Sequence, residues 1–255
     1  MSGLEWLIAA GVGLVSGVLS GLFGVGGGIV MTPGFDWFLP VSEIVALETP
    51  LPVILPTSAT GAFTYWQSRE VDVRAAAWMV PTGFVGSIVG ALGTEMVDTT
   101  VLLLATAALL AYQSIGILRG ATRRQRDARP ATVPVLLGIG LTAGLVSGLM
   151  GIGGGIIMVP LLAGWLGMPL KRVLGTSLLT IPALVIPGTV VHAVLGNIDW
   201  SVFVFATLGA VPGARIGASV ALGTAERTLR LVVGGFMLLV AAGYGVSQGL
   251  QLVRG

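Results

Sequence analysis

The stretch Ser20-Gly-Leu-Phe-Gly-Val-Gly-Gly-Gly-Ile-Val-Met-Thr-Pro33 occurs twice in this chain. Its second copy is Ser147-Gly-Leu-Met-Gly-Ile-Gly-Gly-Gly-Ile-Ile-Met-Val-Pro160, identical at 10 of 14 positions and displaced by 127 residues. The same offset, with no gap, pairs Val71-Asp72 with Ile198-Asp199, Thr49 with Thr176, Gly86 with Gly213 and Gly90 with Gly217. Two units of 127 account for 254 of the 255 residues. The chain therefore reads as a tandem duplication, with a first repeat over 1–120, a basic linker over 121–131 and a second repeat over 132–255.

Hydrophobic residues make up 55% of the chain and charged ones 9%, with a mean hydropathy of +0.97. So few charges cannot give a domain of this length a wet surface. Long apolar runs, rather than short alternating segments, favour helices over an outer-membrane barrel. The predicted fold is an all-α integral membrane protein. With most of the chain in lipid, the net charge of +2 carries no nucleic-acid reading. The absence of cysteine excludes disulfides, thiolate metal sites and cysteine nucleophiles. The first apolar run, Leu4 to Leu22, lacks a basic leader and has an internal counterpart at Val133 to Leu149, so it is expected to be a permanent membrane segment.

Allowing about 20 apolar residues per crossing, segments are expected near 4–23, 44–66, 75–94 and 99–118, and again near 132–150, 172–195, 201–222 and 228–250. The arm after each glycine stretch, 28–40 or 155–166, is short for a span at about 1.5 Å per residue, so each is expected to break at the glycines and turn back. Pro50, Pro52 and Pro56 are expected to interrupt 44–66, and Pro182 and Pro187 to interrupt 172–195. Glycines at every fourth position (Gly13, Gly17, Gly21; Gly140, Gly144, Gly148; Gly209, Gly213, Gly217) suit close helix packing in lipid. Trp37, Trp66, Trp78, Trp165 and Trp200 suit headgroup-level anchors. Asp72 and Asp199 suit helix N-caps.

The basic residues orient the halves. Arg69 and Arg74, then Arg119, Arg123, Arg124, Arg126 and Arg129, follow the second and fourth segments of the first half. In the second half Lys171 and Arg172 follow the first segment, and Arg227 and Arg230 follow the third. The parity is reversed, so the positive-inside rule predicts two inverted-topology repeats, each a glycine-broken helical hairpin plus three transmembrane helices. The linker is then cytoplasmic and both termini lie outside.

Inverted repeats with broken helices build midplane sites in many secondary transporters. Gly26, Gly27 and Gly28, with Gly153, Gly154 and Gly155, allow a backbone to approach a ligand and turn helix N-termini toward an anion. No strand precedes them and no Gly-Lys-Ser/Thr follows, so neither a dinucleotide nor an ATP site is read. Thr49, Thr176 and Ser177 can offer hydroxyls just ahead of the proline breaks, unless they bond their own helix carbonyls. Arg215 lies within an apolar segment where its counterpart is Ile88, and a guanidinium suits an oxoanion. His192 falls opposite Tyr65 in the duplication, and Glu48 opposite Gly175. His192 suits packing or an interface better than a proton relay, and Glu48 suits a protonatable gate or an interfacial position.

The twin Gly-x-Gly-Gly-Gly stretches ending in Pro33 and Pro160, Gly175-Thr176-Ser177, His192 followed by Gly196-Asn-Ile-Asp-Trp200, and Gly213-Ala-Arg-Ile-Gly217 together resemble the sulfite exporter TauE/SafE family of membrane permeases. The resemblance implies transport of small sulfur-containing anions, such as sulfite or organosulfonates, across a prokaryotic cytoplasmic membrane. The first half departs from the pattern, with Glu48-Thr49-Pro50 in place of Gly-Thr-Ser and Tyr65 in place of His. The expected partners are the anion and the lipid bilayer, with no cofactor, metal or nucleic acid and with homo-oligomerisation left open. The expected function is a non-enzymatic secondary transporter. A passive anion channel, a carrier of a non-sulfur anion, and an intramembrane hydrolase built on Ser177 and His192 are the rivals.

Overall fold

The computed structural model describes residues 3–93, 108, 111–112, 114–115, 118, 132–150 and 153–254. The basic linker 121–131 and, apart from six positions, the expected segment 99–118 lie outside the described residues. All regular structure among the described residues is helical. The first half holds α1 (Gly3–Phe23), α2 (Gly28–Phe38), α3 (Glu43–Glu48), α4 (Pro50–Gln67) and α5 (Val73–Leu92). The second holds α6 (Val133–Met150), α7 (Gly155–Pro160) with a π-helical continuation over Leu161–Trp165, α8 (Leu170–Val194), α9 (Trp200–Gly223) and α10 (Glu226–Arg254). Four of these, α1, α5, α8 and α9, are each long and apolar enough to cross a membrane.

Both glycine stretches break their helices as expected. The prolines behave differently from one another. Pro50 and Pro52 separate α3 from α4 because they occupy the first turn of a new helix, where the missing N–H groups have no intrahelical partner to lose. Pro56, Pro182 and Pro187, expected to interrupt their segments, instead lie inside continuous helices, Pro56 in α4 and the other two in the 25-residue α8. The hydroxyls near these prolines bond helix carbonyls: Thr57 to Val53, Ser58 to Ile54, Thr60 to Pro56, Thr180 to Thr176 and Thr189 to Val185. At membrane depth such donors replace water. After Pro160 the ladder slips to the wider π spacing, with the Leu166 N–H on the Leu161 carbonyl at 3.2 Å.

The core is made by pairing across the halves. α1 lies along α9, and its counterpart α6 lies along α5. A Cβ added to Gly13, Gly17 or Gly21 would meet the backbone of Ala206, Ala210 or Ala214. One added to Gly140, Gly144 or Gly148 would meet that of Met79, Gly83 or Ser87, which are the same pairs moved by the repeat offset. Both numbers rise together along each ladder, so the paired helices run parallel. α4 and α8 pack antiparallel: Gly61 faces Leu178 and Gly188 faces Leu51. Apolar side chains gain little by leaving lipid for one another, so close backbone approach along these glycines is what holds the helices together.

Asp72 caps α5 by accepting from the Ala75 N–H, and Asp199 caps α9 by accepting from Ser201 and Val202. Trp37, Trp66, Trp78, Trp165 and Trp200 are all exposed.

Candidate functional site

The two glycine turns meet at the centre of the molecule. Gly26 and Gly27 take φ of 87° and 89°, and Gly153 and Gly154 take 89° and 71°, the left-handed region that a side chain resists. Gly28 and Gly155 then begin α2 and α7. The turns touch, since a Cβ on Gly155 would lie 2.6 Å from the Gly24 carbonyl oxygen. Ser177 Oγ donates to that same carbonyl at 2.8 Å, and Ser16 Oγ donates to the Gly27 carbonyl at 2.5 Å. Ile54 and Ile181, equivalent under the duplication and fully buried, cover both turns.

The threonines hold the halves together. Thr49 Oγ1 accepts the Asp199 N–H at 3.1 Å, and Thr176 Oγ1 accepts the Asp72 N–H at 2.9 Å while donating to the Arg172 carbonyl. Arg215 is not brought to this centre. The small residues Ala214 and Gly217 face α1, which leaves Arg215 on the opposite, exposed side of α9 without a hydrogen bond or ion pair to the described residues.

A cavity of about 340 Å³ opens between α3, α5, α6 and α8. Its polar lining comes from Glu48, Ser87, Ser147 and His192, and its floor includes Leu184 and Val185. Those two side chains also lie against Gly154 and Gly153, so they separate the cavity from the second glycine turn. His192 Nε2 is 3.2 Å from Glu48 Oε2, and Asn197 Nδ2 is 3.3 Å from His192 Nδ1. Ser87 Oγ donates to the Leu184 carbonyl at 2.6 Å. Ser147, which is buried, has no partner for its hydroxyl among the described residues.

The place equivalent to it under the duplication is filled. Tyr65 is fully buried, its hydroxyl donates to the Gly21 carbonyl at 3.0 Å, and its Cβ would lie 2.7 Å from a Cβ on Gly175. Gly21 corresponds to Gly148, which lines the cavity. Of the two equivalent places between the halves, one thus carries a Gly–Tyr pair and is packed, the other a Glu–His pair and is open.

A family model described as sulfite exporter TauE/SafE matches residues 9–244. The chain belongs to this family. Curated relatives resemble it along nearly their whole length. The probable membrane transporter protein YunE of Bacillus subtilis is 25% identical, over 93% of this chain and 96% of its own. A probable membrane transporter protein of Xylella fastidiosa is 26% identical over 92% and 93%, and MJ0441 of Methanocaldococcus jannaschii, of the same description, is 27% identical over 89% and 93%. No solved structure matches. With the apolar helices above, membership of TauE/SafE makes this a multi-pass membrane protein of a transporter family.

The sequence reading named the glycine turns and noticed Glu48 and His192 separately, but missed that these two meet. It also missed Ser147. The available signal was that a serine opens both copies of the repeated stretch, at Ser20 and Ser147, inside otherwise apolar helices.

Proposed function

We propose that this protein is a secondary transporter of a small anion, sulfite or an organosulfonate, working by alternating access between two inverted repeats, 1–120 and 132–255, in a prokaryotic cytoplasmic membrane. The observation that carries the reading is the inequality of two equivalent ends: Tyr65 packs one shut and the other holds the cavity beside Glu48 and His192. Exchanging the conformations of the two halves would close the second end and open the first. The parallel ladder of α1 with α9 and the antiparallel crossing of α4 with α8 support inversion, since a two-fold axis in the membrane plane generates both from one arrangement.

In this reading the cavity is the entry, and the anion moves from it onto the N–H groups at Gly26, Gly27 and Gly28 and at Gly153, Gly154 and Gly155, once Leu184, Val185, Ile54 and Ile181 shift aside. Thr49, Thr176 and Ser177 border this path and couple its shape to the packing of the halves. Arg215, exposed on α9, is left outside it. Amides at helix starts favour an anion over a cation.

Counterflow of labelled sulfite in proteoliposomes tests the reading, with unlabelled sulfite, sulfoacetate, sulfate or chloride loaded inside in turn. Accumulation driven only by particular internal anions is expected. Flux that never saturates would instead identify a passive channel.

A further inference from the structure

The cavity presents a difficulty for the proposed substrate that its own residues resolve. Glu48 lines it and lies close against His192, and these two are the titratable groups among its lining residues. An ionised carboxylate at the wall of a cavity enclosed by helices repels an entering anion, because the effective dielectric there is below that of bulk water. A proton delivered to the pair removes the obstacle by neutralising the Glu48 carboxylate, to which His192 holds its ring N–H.

The geometry points to Glu48 and His192 as the proton site of an anion–proton symporter, taking up a proton together with each anion that enters the cavity. This rests on the small-anion reading above and names its coupling ion. Two further observations support it. The pair occurs at only one of the two equivalent places between the halves: its equivalents are Gly175 and Tyr65, which pack directly against each other, so the fold itself does not require an acid and a base here. Asn197 holds the far side of the ring. With its amide donating to Nδ1, the ring proton is on Nε2 and aimed at Glu48 Oε2. The shared proton is then replaceable from the cavity without loss of the ring's orientation.

Among the described residues other charges near the pair are few. Asp199, at the start of α9, is engaged with the N–H groups of Ser201 and Val202. Asp36 on α2 is exposed, and Glu43 lies on the same short helix as Glu48. α6 contributes no titratable residue, while Arg74 on α5 and Lys171 and Arg172 on α8 sit at the ends remote from His192. No covalent bond of the substrate changes: the proton adds to the Glu48 carboxylate on one side and leaves from it on the other.

The test uses the full chain in liposomes with the membrane potential clamped, and labelled sulfoacetate as probe, because its charge does not change around neutral pH. An imposed gradient of one pH unit is expected to drive about tenfold accumulation per coupled proton, with matching proton movement reported by a pH dye. Glu48→Gln and His192→Gln are expected to leave a residual flux that ignores the gradient. Counterflow in the wild type without accumulation or proton movement would overturn the proton site alone, as would movement of protons against the anion, or a Glu48→Gln protein that follows the gradient. Absence of any sulfite or sulfoacetate counterflow would overturn the small-anion reading and this one with it. If Glu48→Gln does not fold, the proton movement of the wild type decides.

Discussion

Thr176 Oγ1 accepts the backbone N–H of Asp72 at 2.9 Å, joining α8 of the second half to the start of α5 in the first. Its equivalent, Thr49, receives the N–H of Asp199 at 3.1 Å at the other end of the molecule. Each bond anchors the residue that caps the neighbouring helix. Thr176→Val keeps the shape and removes the acceptor, and is expected to cost about 1 to 3 kcal/mol by leaving a shielded N–H unpaired. Thermal unfolding in detergent would register this as a lower Tm. Because the two latches are far apart, Thr49→Val should add its own loss independently.

The glycine ladders make a sharper prediction. Gly17→Ala and Gly144→Ala place a methyl group on the backbones of Ala210 and Gly83, so the helices must separate. Both are expected to lower Tm strongly or to prevent recovery of folded protein. Gly11 and Gly138 are also equivalent to each other, yet a Cβ there meets nothing within 4 Å. Gly11→Ala and Gly138→Ala should be tolerated, with a gain of up to about 1 kcal/mol from helix propensity. Equal effects at the two kinds of position would contradict the packing described.

Much of this architecture was legible because a duplication writes its symmetry directly into the sequence: one offset aligned the glycine turns, the capping aspartates and the ladder glycines. The prolines were legible only in part. Spacing alone did not distinguish Pro50 and Pro52, which start a helix, from Pro182 and Pro187, which a continuous helix absorbs while nearby hydroxyls serve its carbonyls. The meeting of Glu48 with His192 was hidden for a different reason. The offset relates each residue to its copy, whereas contact across α4 and α8 follows from antiparallel packing, which brings the start of one helix to the end of the other. Thr49 and Thr176 showed as polar groups beside a break, but the backbone partners they found belong to the other half.

Ser147 and Ser20 separate function from stability. Neither hydroxyl has a partner among the described residues, so Ser147→Ala and Ser20→Ala should leave Tm unchanged or raise it, by up to about 1 kcal/mol in stability. Only Ser147 lines the cavity. Its replacement is expected to raise the KM for sulfite counterflow several-fold, and an unchanged KM would remove this hydroxyl from the entry path.

Tyr65 tests how the packed end is held. Tyr65→Phe leaves the Gly21 carbonyl without its phenol donor and is expected to cost about 1 to 3 kcal/mol. The same change should shift the protein toward the state open at that end. Faster modification of a cysteine introduced at Ser20 would report that shift.

The measurement that bears most directly on alternating access between inverted halves is sided labelling of single cysteines. The chain has none of its own, so Ser147→Cys and Ser20→Cys need no further change. With an impermeant maleimide applied to oriented vesicles, the cysteine at 147 is expected to react only from the outer face and that at 20 only from the cytoplasmic face. Substrate should shift the two rates in opposite directions. Reaction of both positions from one face, or rates that rise together when substrate binds, would contradict it.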